Sequence, residues 1–195
     1  SLPADYGVVY SPVYRLNVFT GERWLEPCPK ESGFILKEML LQTHSSGLIA
    51  WCAPLIRREC FQRFPWQEDL SVEGESIFFR FALGFKFKYL DEPAAVMRDH
   101  LNNAGKALVQ CSDASLIVFE RLRKEPRFPR ELAASLNIYI GKAFRNYGWQ
   151  GIRIIGDGRW ARKCFALSVG HHPPQLFHPR TIAGFCLSLI PQAAL

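Results

Sequence analysis

The spacing of apolar residues becomes helical throughout beyond about residue 105, and this change limits the fold more than any other feature of the sequence. Before it, a few stretches of helical spacing, such as residues 34–40, are mixed with short apolar runs and with strict alternation, as where aromatic residues alternate with lysines over residues 85–89. Alternation with a period of two is typical of a half-buried strand. From Leu108 onward they recur every three or four residues, the period of an amphipathic helix. The sequence therefore predicts an α/β fold over residues 1–105 and a helical unit over residues 106–195.

The individual elements follow from the apolar runs and from the residues that interrupt them. Strands are predicted over 8–10, 13–19, 48–53, 85–89 and 94–97, and helices over 34–43, 57–63, 76–83, 108–122, 132–147, 157–169 and 180–189. We expect Ser32 to cap the first helix, Pro54 to close the third strand and Gly84 to end the third helix. The first two helices of the helical unit are expected to pack antiparallel.

Composition and charge narrow the class of protein. Hydrophobic residues make up 48% of the 195 residues and charged residues 22%, which predicts a folded rather than a disordered protein. The net charge of +6 suits an anionic partner. Nucleic-acid binding is not favoured, because no basic stretch is interleaved with aromatic residues and no recognition helix is apparent. The longest apolar run, residues 181–190, is about half the ~20 residues that cross a bilayer.

The six cysteines are far apart, and none forms a Cys-x-x-Cys pair. We therefore expect most of them to be small buried side chains in a reducing compartment rather than metal ligands. The chain begins with Ser1-Leu2 instead of Met, and a strand is predicted almost at once. This start leads us to expect a piece excised from a longer protein, with those two residues as a cloning remnant.

Residues 64–75 form a predicted loop that is rich in aromatic and acidic side chains. Loops of this kind often carry binding and catalytic residues. A carboxylate at a loop-to-helix junction is suited to take a proton, and the candidates are Asp69, Glu73 and Glu75. Each of them could instead be a solvated charge that stabilises the N-terminus of the next helix. Trp66 could bind a ligand by ring stacking or could cover the core.

Four segments in a fixed order carry a resemblance to a known family. They are Leu55-Ile-Arg-Arg-Glu, the helix, glycine and strand Phe78-Phe-Arg-Phe-Ala-Leu-Gly-Phe-Lys-Phe-Lys-Tyr-Leu-Asp-Glu-Pro, then Arg98-Asp-His-Leu-Asn-Asn, and the helical tail around Gly158-Arg-Trp-Ala-Arg. In this order they resemble the C-terminal, acceptor-side half of the inverting GT-A-type glycosyltransferases that make bacterial surface polysaccharides. The order of the four segments along the chain carries the resemblance.

The resemblance implies a partial GT-A fold, a mixed sheet with helices, over residues 1–105 and a helical extension over residues 106–195. It also implies transfer of a sugar from a nucleotide-sugar donor to a glycan or lipid-linked acceptor. The family's nucleotide-binding half, with its Asp-x-Asp for a divalent metal ion, has no counterpart here. We therefore expect the complete enzyme to need Mn²⁺ or Mg²⁺, and this chain alone to be inactive and to need no cofactor.

The same resemblance assigns roles to individual residues. The family has a Glu-Asp pair before the Phe-Phe-Arg helix, and its Asp is the general base; here that place reads Glu73-Gly-Glu-Ser, whereas the intact pair ending at Asp69 lies several residues earlier. Asp69 or Glu75 is the favoured base, with no basis for choosing between them. Arg98 and His100 are expected to bind the diphosphate or the acceptor, and His100 is also a candidate metal ligand. Trp66 could stack on the ring of an acceptor sugar.

A second hypothesis belongs to a different class, a non-catalytic binding or assembly module derived from the same fold. The altered Glu-Asp position would then mean that the catalytic base has been lost. Exposed apolar surface would cause self-association. For either function we expect a cytoplasmic protein without a nucleic-acid partner. Peripheral contact with the inner face of a membrane, through the basic helical tail, is a further expectation.

Overall fold

The computed structural model describes residues 2–26, 28–41, 49–50, 52–70, 76–100 and 107–190. The described residues form a mixed α/β structure with two small mixed sheets and seven α-helices. The strands are β1 Tyr6–Tyr10, β2 Val13–Asn17, β3 Arg23–Glu26, β4 Leu55–Ile56, β5 Lys86–Tyr89 and β6 Ala95–Asp99. The helices are α1 Leu36–Leu41, α2 Arg58–Arg63, α3 Ile77–Phe81, α4 Leu108–Lys124, α5 Ala133–Gln150, α6 Gly158–His171 and α7 Pro179–Leu187.

Two chain segments, residues 6–17 and 86–99, run side by side and hold both sheets together. In the first sheet β1 is central, parallel to β5 and antiparallel to β4. In the second sheet β2 is central, parallel to β6 and antiparallel to β3. Both segments change sheet at a proline, Pro12 in one and Pro93 in the other. Proline has no N–H to donate to a strand ladder, so the first sheet ends at this step in both segments.

The core of the first sheet consists mainly of aromatic side chains. Phe87 is fully buried on β5, and its ring meets those of Tyr10 and Phe78 edge-on, with centroids 6.2 and 6.4 Å apart. Burying such a ring contributes about 1.5–3 kcal/mol, and each edge-on contact adds about 0.5–1.5 kcal/mol. The alternation predicted over residues 85–89 is thus confirmed, because Phe87 faces inward while Lys86 and Lys88 are half-exposed.

The chain divides into two compact units, Ser1–Arg130 and Glu131–Leu195. Helix α4 belongs to the first unit, since the ring of Phe119 packs edge-on against that of Phe79 with 5.8 Å between centroids. The sequence placed the division near residue 105 because α4 has the same period as the helices after it. The predicted pairing of α4 with α5 joins the two units and stays a prediction.

The second unit consists of α5, α6 and α7 with two short helical connections. Phe165 of α6 is buried, and its ring lies against Gly148 of α5 and Gly184 of α7. A Cβ at Gly148 would come within 2.8 Å of that ring, so these helices approach closely only because side chains are missing there. The hydroxyl of Ser168 donates to the Gly141 carbonyl at 2.6 Å and fixes α6 against α5.

Three of the local predictions need correction. Ser32 does not cap α1; its Oγ accepts a hydrogen bond from the Tyr89 N–H at 3.0 Å, and so it extends the pairing of β5. The strand expected before Pro54 lies after it, as β4, because Ala53 turns back to Ala50 through a backbone hydrogen bond. Helix α3 ends at Phe81, before Gly84.

The other boundaries agree with the predictions to within a few residues wherever they fall on described residues. Of the six cysteines, only Cys60 and Cys164 are buried, so the expectation that most are buried is wrong. No helix within the described parts of the chain is long and apolar enough to cross a bilayer.

Candidate functional site

The described part of the aromatic and acidic loop, residues 64–70, follows a helix that starts at one edge of the first sheet. Strand β4 runs antiparallel to β1 and β5 runs parallel to it, so the chain leaves β4 and enters β5 at the Tyr6 end of β1. Backbone hydrogen bonds from Arg57 N to Gly7 O and from Lys86 N to Asp5 O, both 2.8 Å, anchor the two ends. Helices α2 and α3, with the loop between them, therefore extend from this edge.

Asp69 is the best-defined carboxylate of the loop. Its two oxygens accept a bidentate pair of hydrogen bonds from Arg121 of α4, at 2.9 Å from Nη1 and 2.5 Å from Nη2. The same Nη1 also donates to the Gln67 side chain at 3.2 Å. A parallel, two-point contact of this kind fixes orientation as well as charge. Arg121 thus ties the loop to the last turns of α4.

The ion pair changes the chemistry of Asp69. The hydrogen bonds from Arg121, and its positive charge, hold the pKa of the Asp69 carboxyl below its ordinary value. A carboxylate with a lowered pKa is a weaker base, and both its oxygens are already occupied. In this arrangement Asp69 is better suited to positioning the loop than to taking a proton.

Trp66 lies three residues before Asp69, and its side chain is exposed. The Arg80 guanidinium of α3 donates to the Pro65 carbonyl at 2.8 Å, so the backbone just before Trp66 is fixed to the helix that follows the loop. An exposed indole on a fixed backbone can stack on a sugar ring. The other two predicted carboxylates, Glu73 and Glu75, lie outside the described residues.

Arg98 and His100 lie at the far end of the paired segments. Arg98 belongs to β6, opposite Leu16 of β2, and His100 follows the strand; both side chains are exposed. The backbone beside them is fixed by a hydrogen bond from Val18 N to Asp99 O at 3.2 Å. The Asp69 loop is anchored at the opposite end of the same two segments. The structure therefore attaches the two predicted sets of residues at opposite ends of one framework.

Sequence reasoning missed Arg121, which determines the state of Asp69. The two residues are 52 positions apart, and no local pattern marks such a pairing. For the metal ligand, the part of the chain that the structure describes contains no group of three or more His, Cys, Asp or Glu side chains placed to hold an ion. The sequence predicts a single metal ligand, His100. The divalent metal ion therefore stays a prediction.

No family model, no curated protein and no solved structure gives a significant match to this chain.

Proposed function

We propose that this chain is the acceptor-side part of an inverting glycosyltransferase, which moves a sugar from a nucleotide-sugar donor to a glycan or lipid-linked acceptor. The observation that carries the proposal is the placement of the aromatic and acidic loop. Its described part follows α2, which is anchored at a sheet edge through β4, and it carries Asp69 three residues after an exposed Trp66. The order of motifs in the sequence supports the same function.

The reaction needs two kinds of group. A base must take the proton of the acceptor hydroxyl as the sugar transfers, and cationic groups must stabilise the diphosphate that leaves from the opposite face. The loop supplies carboxylates for the first task, and Trp66 is a surface for the acceptor sugar. Arg98 and His100, the sequence-predicted candidates for the second task, attach at the opposite end of the paired segments from this loop, so we assign that task to the proposed nucleotide-binding half. A divalent metal ion, where bound, would share the charge of the diphosphate.

The ion pair with Arg121 favours Glu75 over Asp69 as the base. Asp69 is held as a weak, occupied carboxylate. Glu75 directly precedes Ser76 at the start of α3, which is the loop-to-helix junction where the resemblance expects the base. We assign proton removal to Glu75, with Glu73 as the alternative, and we assign to Asp69 the positioning of the loop.

A comparison of single variants tests this assignment in a protein that also carries the proposed nucleotide-binding half. Glu75→Gln should lower kcat by roughly 10²–10⁴-fold with little change in KM, as loss of a general base does. Asp69→Asn should lower kcat less and raise the KM for the acceptor. The matched control is Glu92→Gln, an exposed carboxylate in the turn between β5 and β6, which should leave both constants unchanged. Full activity of Glu75→Gln together with Glu73→Gln would exclude both residues as the base.

A further inference from the structure

Helix α7 has its small and polar residues on the inside and its large apolar residues on the outside. Thr181 is only 3% exposed, and Gly184 and Ser188 are buried as well. Ile182, in contrast, is 52% exposed, and Phe185 is exposed too. A surface helix in a soluble domain normally has the reverse arrangement, with its apolar stripe toward the core. The outward face of α7 is therefore suited to an apolar environment outside the protein.

Packing fixes this orientation. The ring of Phe165 sits where a Cβ on Gly184 would have to be, so only a residue without a side chain fits on the inner face there. Turning the helix to bury Phe185 would remove Gly184 from Phe165 and force a large side chain into the same space. Beyond the C-terminal end of the helix, Arg162 of α6 donates a hydrogen bond to the Ser188 carbonyl. The inverted face is thus held in place by the second unit itself.

The apolar exposure continues on both sides of the helix. Six large apolar residues are exposed within the fifteen positions 176–190, and we call them the α7 apolar set: Leu176, Phe177, Ile182, Phe185, Leu189 and Ile190. Ile182 and Phe185 have the spacing i and i+3, which places them on one side of α7, and Leu189 follows two residues after the helix ends. Scattered exposed apolar residues need no explanation, but a concentration of this kind marks an interaction surface.

Charge indicates the kind of partner. Residues 131–195 carry seven Lys and Arg but two Asp and Glu, so +5 of the chain's net +6 belongs to this unit. After Asp157 there is no further acidic residue. If the partner were a second copy of the chain, two positively charged units would come together and repel each other. An anionic surface would be attracted instead.

Cations lie near the N-terminal end of α7 in particular. Arg145 donates to the buried Gln175 side chain at 3.0 Å, just before the α7 apolar set begins, while its buried Nε has no hydrogen-bond partner. Burial, and then the charge of Arg180, lower the pKa of Arg145. Burial, and then the positive charges of Arg145 and Arg180, also lower the pKa of His178. Like charges are thus gathered here with no acidic residue nearby in the sequence.

We propose that α7 lies in the plane of an anionic phospholipid surface. The α7 apolar set enters the boundary between head groups and acyl chains, and the exposed Arg180 contacts lipid phosphate. An in-plane helix needs an apolar face and flanking cations rather than the length of a membrane span, and α7 is only about 13 Å long. The inference concerns the second unit and does not depend on the proposed sugar transfer.

Flotation with lipid vesicles tests the proposal on this chain without any sugar nucleotide. The chain should float with vesicles of phosphatidylcholine and phosphatidylglycerol and much less with phosphatidylcholine alone. Phe177→Ser and Phe185→Ser should each lower the partition coefficient about tenfold, because each removes an inserted ring. Arg180→Gln should lower it about fivefold. The matched controls are Phe19→Ser, since Phe19 is 69% exposed against 78% for Phe177, and Arg58→Gln, and both should bind as the parent chain does.

Three results would overturn the proposal. The first is absence of flotation with the anionic vesicles, and the second is a loss of binding in Phe19→Ser equal to that in Phe177→Ser. The third is a concentration-dependent dimer, seen by analytical ultracentrifugation, that Phe185→Ser abolishes while vesicle binding is absent, which would make the face an interface between copies. Circular dichroism of each variant checks that folding is retained. None of these results bears on sugar transfer, which is measured separately.

Discussion

At the scale of single residues, the contact between Asp69 and Arg121 has the clearest chemical consequence. The pair is exposed, so solvent screens it and its net contribution to stability is small. The direction of its pH dependence still follows from linkage. Because the pKa of folded Asp69 is lowered, the pair stabilises the fold above the pKa of the unfolded chain, and that contribution is lost as pH falls through the folded pKa.

The state of Asp69 can be measured directly by NMR titration of its carboxyl carbon. In the parent chain the pKa should lie below the ordinary aspartate value, and in Arg121→Gln it should rise toward that value. Arg123→Gln removes an equal charge from the same helix, two residues on, and should leave the Asp69 pKa almost unchanged. Equal Asp69 pKa values in the parent and in Arg121→Gln would show that the ion pair does not form in solution.

A second prediction at this scale concerns the start of α6. The Asp157 carboxylate accepts a hydrogen bond from the Trp160 N–H at 2.9 Å and caps the helix. Asp157→Ala should lower the free energy of unfolding by about 1 kcal/mol, since the N–H then loses its partner. Asp157→Asn keeps a capping oxygen and should cost much less. Urea denaturation of both variants measures the difference, and equal losses would argue against the cap.

At the scale of elements, the helices of the second unit pack closely because glycines leave room for a buried aromatic ring. Phe165 is enclosed by Gly148 and Gly184, so two helices approach α6 at positions without a side chain. This close approach lets α7 bury its small residues and leave Ile182 and Phe185 outside. The packing of one ring thus determines which face of α7 is presented to the surroundings.

The same packing predicts opposite effects for two glycine substitutions. Gly148→Ala should destabilise the unit by about 1–3 kcal/mol, because the new Cβ would lie 2.8 Å from the Phe165 ring. Gly170→Ala, in α6, meets nothing within 4 Å and should stabilise it by about 0.5–1 kcal/mol through helix propensity. Urea unfolding followed by far-UV circular dichroism measures both. A neutral or stabilising Gly148→Ala would contradict the close approach.

Elements set by local period could be predicted from the sequence, and long-range pairings could not. Strand β5 and helices α4–α7 were found because their periods of two and 3.6 are local properties. Ser32 resembles an N-cap locally, but its partner is Tyr89, 57 residues away. The outward orientation of the apolar face of α7 could not be predicted from the sequence either. An apolar stripe predicts a helix, and such a stripe normally faces the core.

The candidate site was predicted only in part. The residue types of the loop, and the positions of Arg98 and His100, could be read from the sequence. Their attachment at opposite ends of the paired segments depends on strand register, which no local pattern gives. The role of Asp69 depends on Arg121, which comes from the last turns of a helix 52 residues further on.

At the scale of the whole molecule, the two units differ in charge and in the function we propose for each. Residues 1–130 are nearly neutral and carry the proposed acceptor site, whereas residues 131–195 carry almost all the net positive charge together with the α7 apolar set. A transferase that acts on a lipid-linked acceptor would use both properties, one for chemistry and the other for its location. The two proposals can fail independently, because one is measured with sugars and the other with vesicles.

Sugar transfer is tested most directly by calorimetric titration of UDP- and GDP-sugars, with Mn²⁺, combined with an assay for sugar release. The titration is made into this chain and into a protein in which it is joined to the proposed nucleotide-binding half. We predict binding and turnover in the longer protein, and neither in this chain alone. If neither protein binds any of the sugar nucleotides or releases sugar, the proposed transferase function is contradicted.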